Sequence, residues 1–222
     1  MKKISLFLVS IIIAFTQTSC DQKKESKISF KDFQVDLAKD EEPPLIFELT
    51  SENRTEYFIE NQSKKWTGLD KGTPTIISVY DWKLFPHNNI QFEYPRNYTF
   101  EADLSTTNDI WTLSGNDFKI MIIRPLVELD VKTYVNEMIS QFGESNCSTK
   151  KITKKINTYR LDGMKLSAML SGVPIEIDVF EIIDKSGNKS LLVFQDALTD
   201  NNENSNESRS TMKRIEQTLQ IN

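Results

Sequence analysis

Histidine is nearly absent from this chain, which has one, His87, among 222 residues. Catalytic triads, imidazole-based dyads and most zinc sites need at least one histidine and often several. The flanking sequence Phe85-Pro86-His87-Asn88-Asn89 has the composition of a surface loop, so we expect a solvated histidine. The seven glycines form no dinucleotide-binding motif, and Walker and Gly-x-Ser-x-Gly motifs are missing too. We therefore expect no catalytic residue, no metal and no cofactor, and predict that the protein is not an enzyme.

The chain also lacks an excess of positive charge, and it has little cysteine. There are 27 basic and 32 acidic residues, which gives a net charge of −5 and argues against nucleic-acid binding. The basic run Lys150-Lys151-Lys154-Lys155 is the exception, and we interpret it as a solvated strand edge where lysines discourage edge pairing. Of the two cysteines, Cys147 has no obvious base beside it and is expected to be an unremarkable thiol.

Long hydrophobic runs are missing as well. The apolar stretch 4–15 is shorter than the roughly 20 residues that span a bilayer. It follows Lys2 and Lys3 and precedes Gln17-Thr18-Ser19-Cys20. A charged start, a short apolar core and small residues before the cut are typical of a secretory signal, here residues 1–19.

The segment Thr18-Ser19-Cys20 resembles the lipobox of bacterial lipoproteins, although Gln17 stands where that family usually has an aliphatic residue. The resemblance implies that Cys20 receives lipid, such as palmitate, and becomes the mature N-terminus. A cleaved signal with an incidental cysteine is the alternative. Residues 20–27 have no apolar residue after Cys20 and are predicted to be a solvated tether. We expect a bacterial cell-envelope location, lipid-anchored to the inner or outer membrane, with the protein periplasmic or surface-exposed.

Without residues 1–19, the chain has 203 residues and a net charge of −7, and this length fits one full domain or one domain with a smaller companion. Residues 28–73 are predicted to be a strand-rich N-terminal extension. They begin with apolar residues that nearly alternate from Ile28 to Leu37, and continue with the short apolar runs 45–49 and 57–59. The main domain is predicted to occupy residues 74–222.

Strand and helix patterns are clearer in the main domain. Strands are predicted over 75–80, 90–95 and 98–102, and a hairpin over 109–123 with its turn at Ser114-Gly115-Asn116-Asp117. Asp130 is a predicted N-cap for an amphipathic helix that ends at Gly143. A three-strand meander over 164–198 and a last helix with one apolar face follow. Hairpins together with amphipathic helices predict an α+β fold, an antiparallel sheet flanked by helices.

The segment Ile90-Gln91-Phe92-Glu93-Tyr94-Pro95-Arg96-Asn97-Tyr98 resembles the opening of PsbP/DcrB-like domains, with Tyr98 where that family usually has Trp. The later order of helix, meander and helix is also similar, over about residues 75–222. The resemblance implies an α-β-α sandwich that binds other proteins or assists assembly without catalysis of its own.

Carboxylates are the remaining source of chemistry. Glu176, Asp178 and Glu181 lie on one predicted strand, and a pair of carboxylates at suitable spacing could hydrolyse glycosidic bonds. We prefer to interpret them as the solvent face of an amphipathic strand. The run 200–207 resembles part of a calcium loop, but its sixth and twelfth positions are Ser205 and Thr211, not Gly and Glu, so a polar loop is expected.

Tyr80 ends the predicted strand 75–80, and Trp82 and Phe85 fall in the predicted loop after it. These three aromatic residues form our candidate partner-binding patch. The favoured function is a non-catalytic envelope lipoprotein that is anchored by lipid and binds a protein partner as an assembly factor, adaptor or immunity protein. The alternatives are a carboxylate-dependent envelope glycan hydrolase and a small-ligand or lipid binder with an apolar cavity between sheet and helix.

Overall fold

The computed structural model describes residues 37–51, 54–61 and 74–222. The predicted signal, Cys20, the tether 20–27 and the alternating residues 28–36 lie outside this part of the chain. The elements, in chain order, are β1 (Ile46–Ser51), β2 (Arg54–Ile59), β3 (Thr75–Val79), β4 (Trp82–Phe85), β5 (Ile90–Pro95), β6 (Thr99–Leu104), β7 (Asn108–Ser114), β8 (Phe118–Pro125), α1 (Val131–Phe142), a 3₁₀ turn (Glu144–Asn146), β9 (Cys147–Ile156), β10 (Tyr159–Leu170), β11 (Val173–Ile183), β12 (Lys189–Ala197), α2 (Asn206–Thr218) and β13 (Gln220–Ile221).

An antiparallel sheet of seven strands, in the order β6-β7-β8-β12-β11-β10-β9, forms the centre of the fold. The predicted β7–β8 hairpin is confirmed, with Ser114 paired to Lys119 across the turn. The predicted meander is also confirmed, as β10, β11 and β12 pair in sequence. Because side chains alternate along each strand, the sheet has two faces, and each carries a cluster of buried apolar side chains.

Helix α1 covers one face of this sheet, which we call the α1 face. The side chain of Asp130 caps the helix by accepting a hydrogen bond from the Thr133 N–H at 2.7 Å, and Gly143 ends it with φ at 87°. Both termini are therefore as predicted. Val135 and Met138 of the helix are buried against a row of strand residues: Ile123, Leu166, Ala168, Ile175, Ile177, Val179, Leu191 and Val193.

The opposite face, which we call the α2 face, is covered by a second sheet in the order β13-β5-β4 together with α2. Phe92 of β5 and Ile215 of α2 are both fully buried against Leu113, Ile122 and Leu192 of the large sheet. Ser205 caps α2, its hydroxyl accepting from the Ser208 N–H at 2.9 Å. The predicted polar loop therefore ends in a helix cap.

The prediction of an α+β sandwich flanked by helices is wrong. Strands hold 53% of the described residues and helices 16%, and the fold is mostly β and sandwich-like, with two helices. The physical reason lies in Trp82–Phe85, which we predicted as a loop. This segment pairs with β5, so much of the α2 face packs against another sheet instead of a helix layer.

A smaller sheet in the order β2-β1-β3 accounts for the strands predicted over 45–49 and 57–59. Its third strand, β3, begins at Thr75, so the pairing of β3 with β1 crosses the predicted boundary at residue 74. Ile46 of β1 packs with Leu84 of β4 and links this sheet to the rest of the fold.

Candidate interaction surfaces

The predicted aromatic patch is divided by β4. Phe85 is fully buried, with its ring stacked 5.1 Å from that of Phe92 and edge-on to Trp111 at 6.2 Å between centroids. The expectation that Phe85 is exposed is therefore wrong, because β4 turns this side chain onto the large sheet. Trp82 and Tyr80 are half-buried and can contribute to a surface.

The side chains of Tyr80 and Trp82 both contact the guanidinium of Arg214, a residue of α2. Arg214 Nε donates to Glu93 Oε2 at 2.5 Å, and another guanidinium nitrogen donates to the Tyr80 hydroxyl. The guanidinium carbon lies 5.4 Å from the centroid of the Trp82 ring. Burial, followed by the charge of Glu93, raises the pKa of Tyr80 far above its usual range. These contacts fix both aromatic rings, and no local pattern predicts them, because Arg214 and Glu93 are 121 residues apart.

His87 is not the solvated loop residue that we expected. Its side chain is buried, and its ring stacks on Trp111 at 5.6 Å with an interplanar angle of 5°. Burial lowers the pKa of His87, an effect that the backbone and charge of Glu41 partly offset. The ring therefore acts as part of the aromatic core.

A short N-terminal segment, residues 37–44, covers His87 and Trp111, and we call it the strap. The indole Nε1 of Trp111 donates to the Lys39 carbonyl at 2.7 Å, and Lys39 Nζ forms an ion pair with Asp109 at 2.9 Å. Lys83 of β4 pairs with the carboxylate of Glu42. The strap therefore fixes the point at which the preceding part of the chain meets the domain.

We expected the carboxylates of β11 to form one solvent face of the strand. In the structure they do not share a face. Glu176 and Asp178 lie half-buried on the α2 face and line a cavity of about 40 Å³ beneath α2. Lys165 forms an ion pair with Glu176, and its Nζ lies 3.4 Å from Asp178 Oδ1. Burial raises the pKa of Asp178, and the positive charge of Lys165 opposes that shift. Glu181 lies on the opposite face and pairs with Lys189 at 3.2 Å.

A groove of about 810 Å³ lies where β8 leads into α1. Leu126 and Val127 line it with exposed fractions of 50% and 57%. Its polar walls are fixed: Asn88 Nδ2 donates to Ser190 Oγ at 2.6 Å, and Asn89 Nδ2 donates to Asp184 Oδ2 at 2.8 Å. We did not predict this groove from the sequence, although two adjacent apolar residues directly after Pro125 were a visible signal.

The lysine run lies where we predicted it, on an edge strand. Among the described residues, β9 is the last strand of the seven-stranded sheet, and Lys150, Lys151 and Lys155 are exposed along it. Lys154 is half-buried, with Nζ 3.8 Å from a carboxylate oxygen of Glu216.

Neither a protein-family model nor a curated protein matches the chain. Within residues 37–51, 54–61 and 74–222, no cluster of three or more His, Cys, Asp or Glu side chains is arranged to hold a metal ion. In the same ranges, the helices are too short or too polar to span a bilayer.

Proposed function

We propose that this protein is a lipid-anchored bacterial envelope protein that binds a protein partner and has no catalytic activity of its own. The proposed anchor is Cys20, at the end of a lipobox-like signal. The observation that carries partner binding is the pair Leu126 and Val127, two adjacent apolar side chains exposed in a groove with fixed polar walls.

The groove has the composition of a protein-binding surface. Interfaces usually have an apolar centre that becomes buried, surrounded by polar and charged groups. Here Arg124, Glu128 and Lys189 line the groove around the two apolar side chains. Arg124 is held by an ion pair with the buried Asp109 at 2.5 Å, so one wall of the groove is already ordered. Because this wall is already ordered, a partner that binds there loses less conformational entropy than one that binds a flexible surface.

The glycan hydrolase alternative is less well supported. It needs two facing carboxylates in a cleft that admits a sugar ring. Glu176 and Asp178 instead line a cavity of about 40 Å³, and both lie within 4 Å of the Lys165 ammonium. That volume holds about one water molecule and is far too small for a sugar.

The alternative of a small-ligand binder needs an apolar cavity between sheet and helix. On the α1 face, Val135 and Met138 instead pack against the strand residues Leu166 and Ile177. A pocket of about 690 Å³ borders the first turn of α1, but charged side chains line it, including those of Lys132, Lys151 and Arg160. It is therefore not the apolar cavity between sheet and helix that this function needs.

Partner binding can be tested by capture from solubilised membranes. We expect Leu126→Ser with Val127→Ser to reduce partner recovery more than tenfold, because each lost apolar contact costs about 1.5 kcal/mol or more. The control is Met169→Ser with Val173→Ser, two similarly exposed residues of the β10–β11 hairpin. Equal recovery with both double variants would contradict the proposal.

Anchoring is tested separately by intact-mass analysis of the membrane fraction. The mature protein should begin at Cys20 and carry the mass of the acyl chains, whereas Cys20→Ser should move the protein to the soluble fraction. A native protein that begins at another residue excludes the anchor and leaves the partner-binding test unaffected.

A further inference from the structure

The edge strand β9 concentrates positive charge on an otherwise acidic protein. It is ten residues long and carries four lysines in six positions, whereas the whole chain has a net charge of −5. Alternation along the strand places Lys150 and Lys154 on the α2 face, and Lys151 and Lys155 on the α1 face. The edge therefore presents cations on both faces of the sheet.

Neighbouring strand β10 reinforces this charge. Lys150 lies directly opposite Lys165, and Lys155 lies directly opposite the exposed Arg160. Like charges at directly opposed positions destabilise a pair of strands. Lys165 is compensated by Glu176 and Asp178, whereas the Lys155 and Arg160 pair has no carboxylate within ion-pair distance among the described residues. A negatively charged partner along β9 would remove that repulsion.

We propose that β9 is a docking edge for an extended acidic segment of a protein partner, which adds to the sheet as an antiparallel strand. Backbone groups on the outer side of β9 would pair with the segment, as in other cases of strand addition. Acidic side chains on both faces of the added strand would meet Lys150 and Lys154 on one face and Lys151 and Lys155 on the other. This inference rests on the proposed function for the class of partner, but it uses a different surface from the groove.

The arrangement of the lysines favours this occupant over two others. A second copy of β9 would place lysine against lysine, and edge lysines are known to oppose such pairing. An anionic lipid surface is flat and would contact the lysines of one face more closely than those of the other. An acidic strand is the occupant that meets both faces at the spacing of the strand.

The binding probe is an acetylated, amidated peptide of sequence Thr-Glu-Glu-Thr-Val-Glu-Glu-Thr. In antiparallel register its glutamates stand opposite the four lysines, and its central Thr and Val stand opposite Thr153 and Ile152. The control peptide keeps the four glutamates and replaces the other residues with proline, which retains the charge and prevents strand pairing. Titration calorimetry with the purified protein measures both, together with anionic phosphatidylglycerol vesicles.

Matched variants separate the two faces. We expect Lys150→Ser with Lys154→Ser, and Lys151→Ser with Lys155→Ser, each to weaken peptide binding about fivefold. The control for charge is Arg96→Ser with Lys119→Ser. Lys119 lies on β8 and Arg96 lies just before β6, both far from β9 in the strand order, so this variant should leave binding unchanged. Amide hydrogen exchange in β9 should slow when the first peptide binds.

Three results would overturn the inference. Equal binding of the proline peptide would show a purely ionic contact without strand addition. Vesicle binding that depends on one lysine pair, with no peptide binding, would identify a membrane surface instead. Absence of peptide binding while the groove variants still abolish partner capture would reject the docking edge and leave the proposed function in place.

Discussion

The carboxylate of Glu207 fastens the start of α2 to the β7–β8 turn. Its oxygens accept hydrogen bonds from the backbone N–H groups of Asn116 at 3.3 Å, Asp117 at 2.6 Å and Phe118 at 3.0 Å. A Cβ added at Gly115 would lie 2.3 Å from Glu207 Oε1, so the turn leaves room for the carboxylate only because this residue is glycine. One side chain therefore satisfies three backbone donors between two distant elements.

The cost of removing this carboxylate can be estimated from the exposure of its donors. Asn116 and Asp117 are exposed, so water can replace their bonds at about 0.5 kcal/mol each, whereas a protected bond such as that of Phe118 to a charged acceptor is worth about 1.5 kcal/mol or more. We predict that Glu207→Ala lowers the free energy of unfolding by about 2–3 kcal/mol. For a chain of this size, the melting temperature should fall by about 5–10 °C.

Urea denaturation followed by tryptophan fluorescence measures this loss. Glu207→Gln keeps one acceptor oxygen and should lose about half as much stability. Glu216→Ala is the matched control, because this residue lies on the same helix and its carboxylate is partly exposed, 3.8 Å from Lys154. Its loss should stay below about 0.5 kcal/mol.

A double-mutant cycle makes the test stricter. If Gly115 is needed to admit the carboxylate, Gly115→Ala should cost at least about 1 kcal/mol less in the Glu207→Ala background than in the wild type. The reasoning is refuted if Glu207→Ala unfolds within about 0.5 kcal/mol of the wild type, the range of ordinary surface substitutions.

Two further predictions concern buried positions. Because burial lowers the pKa of His87 below its usual 6.5, the unfolded chain binds the proton more readily. The free energy of unfolding should therefore be highest above about pH 6.5 and fall as the pH drops through that value towards the pKa of the folded state. The difference between wild type and His87→Gln, measured by denaturation between about pH 5 and 7, isolates this effect, and an identical pH profile would exclude it. At Gly163, an added Cβ would lie 2.1 Å from the Val179 carbonyl oxygen, which cannot move aside as a side chain can. Gly163→Ala should cost about 1–3 kcal/mol by thermal unfolding, whereas Ser167→Ala on the same strand should cost less; equal losses would show that this close contact is relieved without strain.

Local signals in the sequence predicted the elements whose causes are themselves local. Asp130 and Gly143 mark the ends of α1 because a cap bonds to backbone groups within its own turn. The β7–β8 turn at residues 114–117 follows from small and polar residues that allow a tight reversal. The same kind of signal predicted β5 to β8, the meander and α2, whereas β13 was not predicted and β9 was expected only as a strand edge at its lysines.

Long-range contacts explain the buried residues and the groove that we did not predict from the sequence. His87 and Phe85 have polar or proline neighbours, and their burial depends on Trp111 and on the strap, which lie far from them along the chain. The half-buried state of Glu176 and Asp178 depends on α2, which begins about thirty residues later. The groove at Leu126 and Val127 likewise forms between segments that are separate in the sequence.

The amino-acid sequence by itself determined the meander, the two amphipathic helices and the position of the lysines, because hydrophobic period and capping act over a few residues. Only the tertiary structure decided that a second sheet would cover the α2 face and that the single histidine would stack on Trp111. Those outcomes depend on which apolar surfaces of distant segments pack together in the folded protein. Because the hydrophobic effect is non-directional, no local sequence pattern indicates which surfaces these will be.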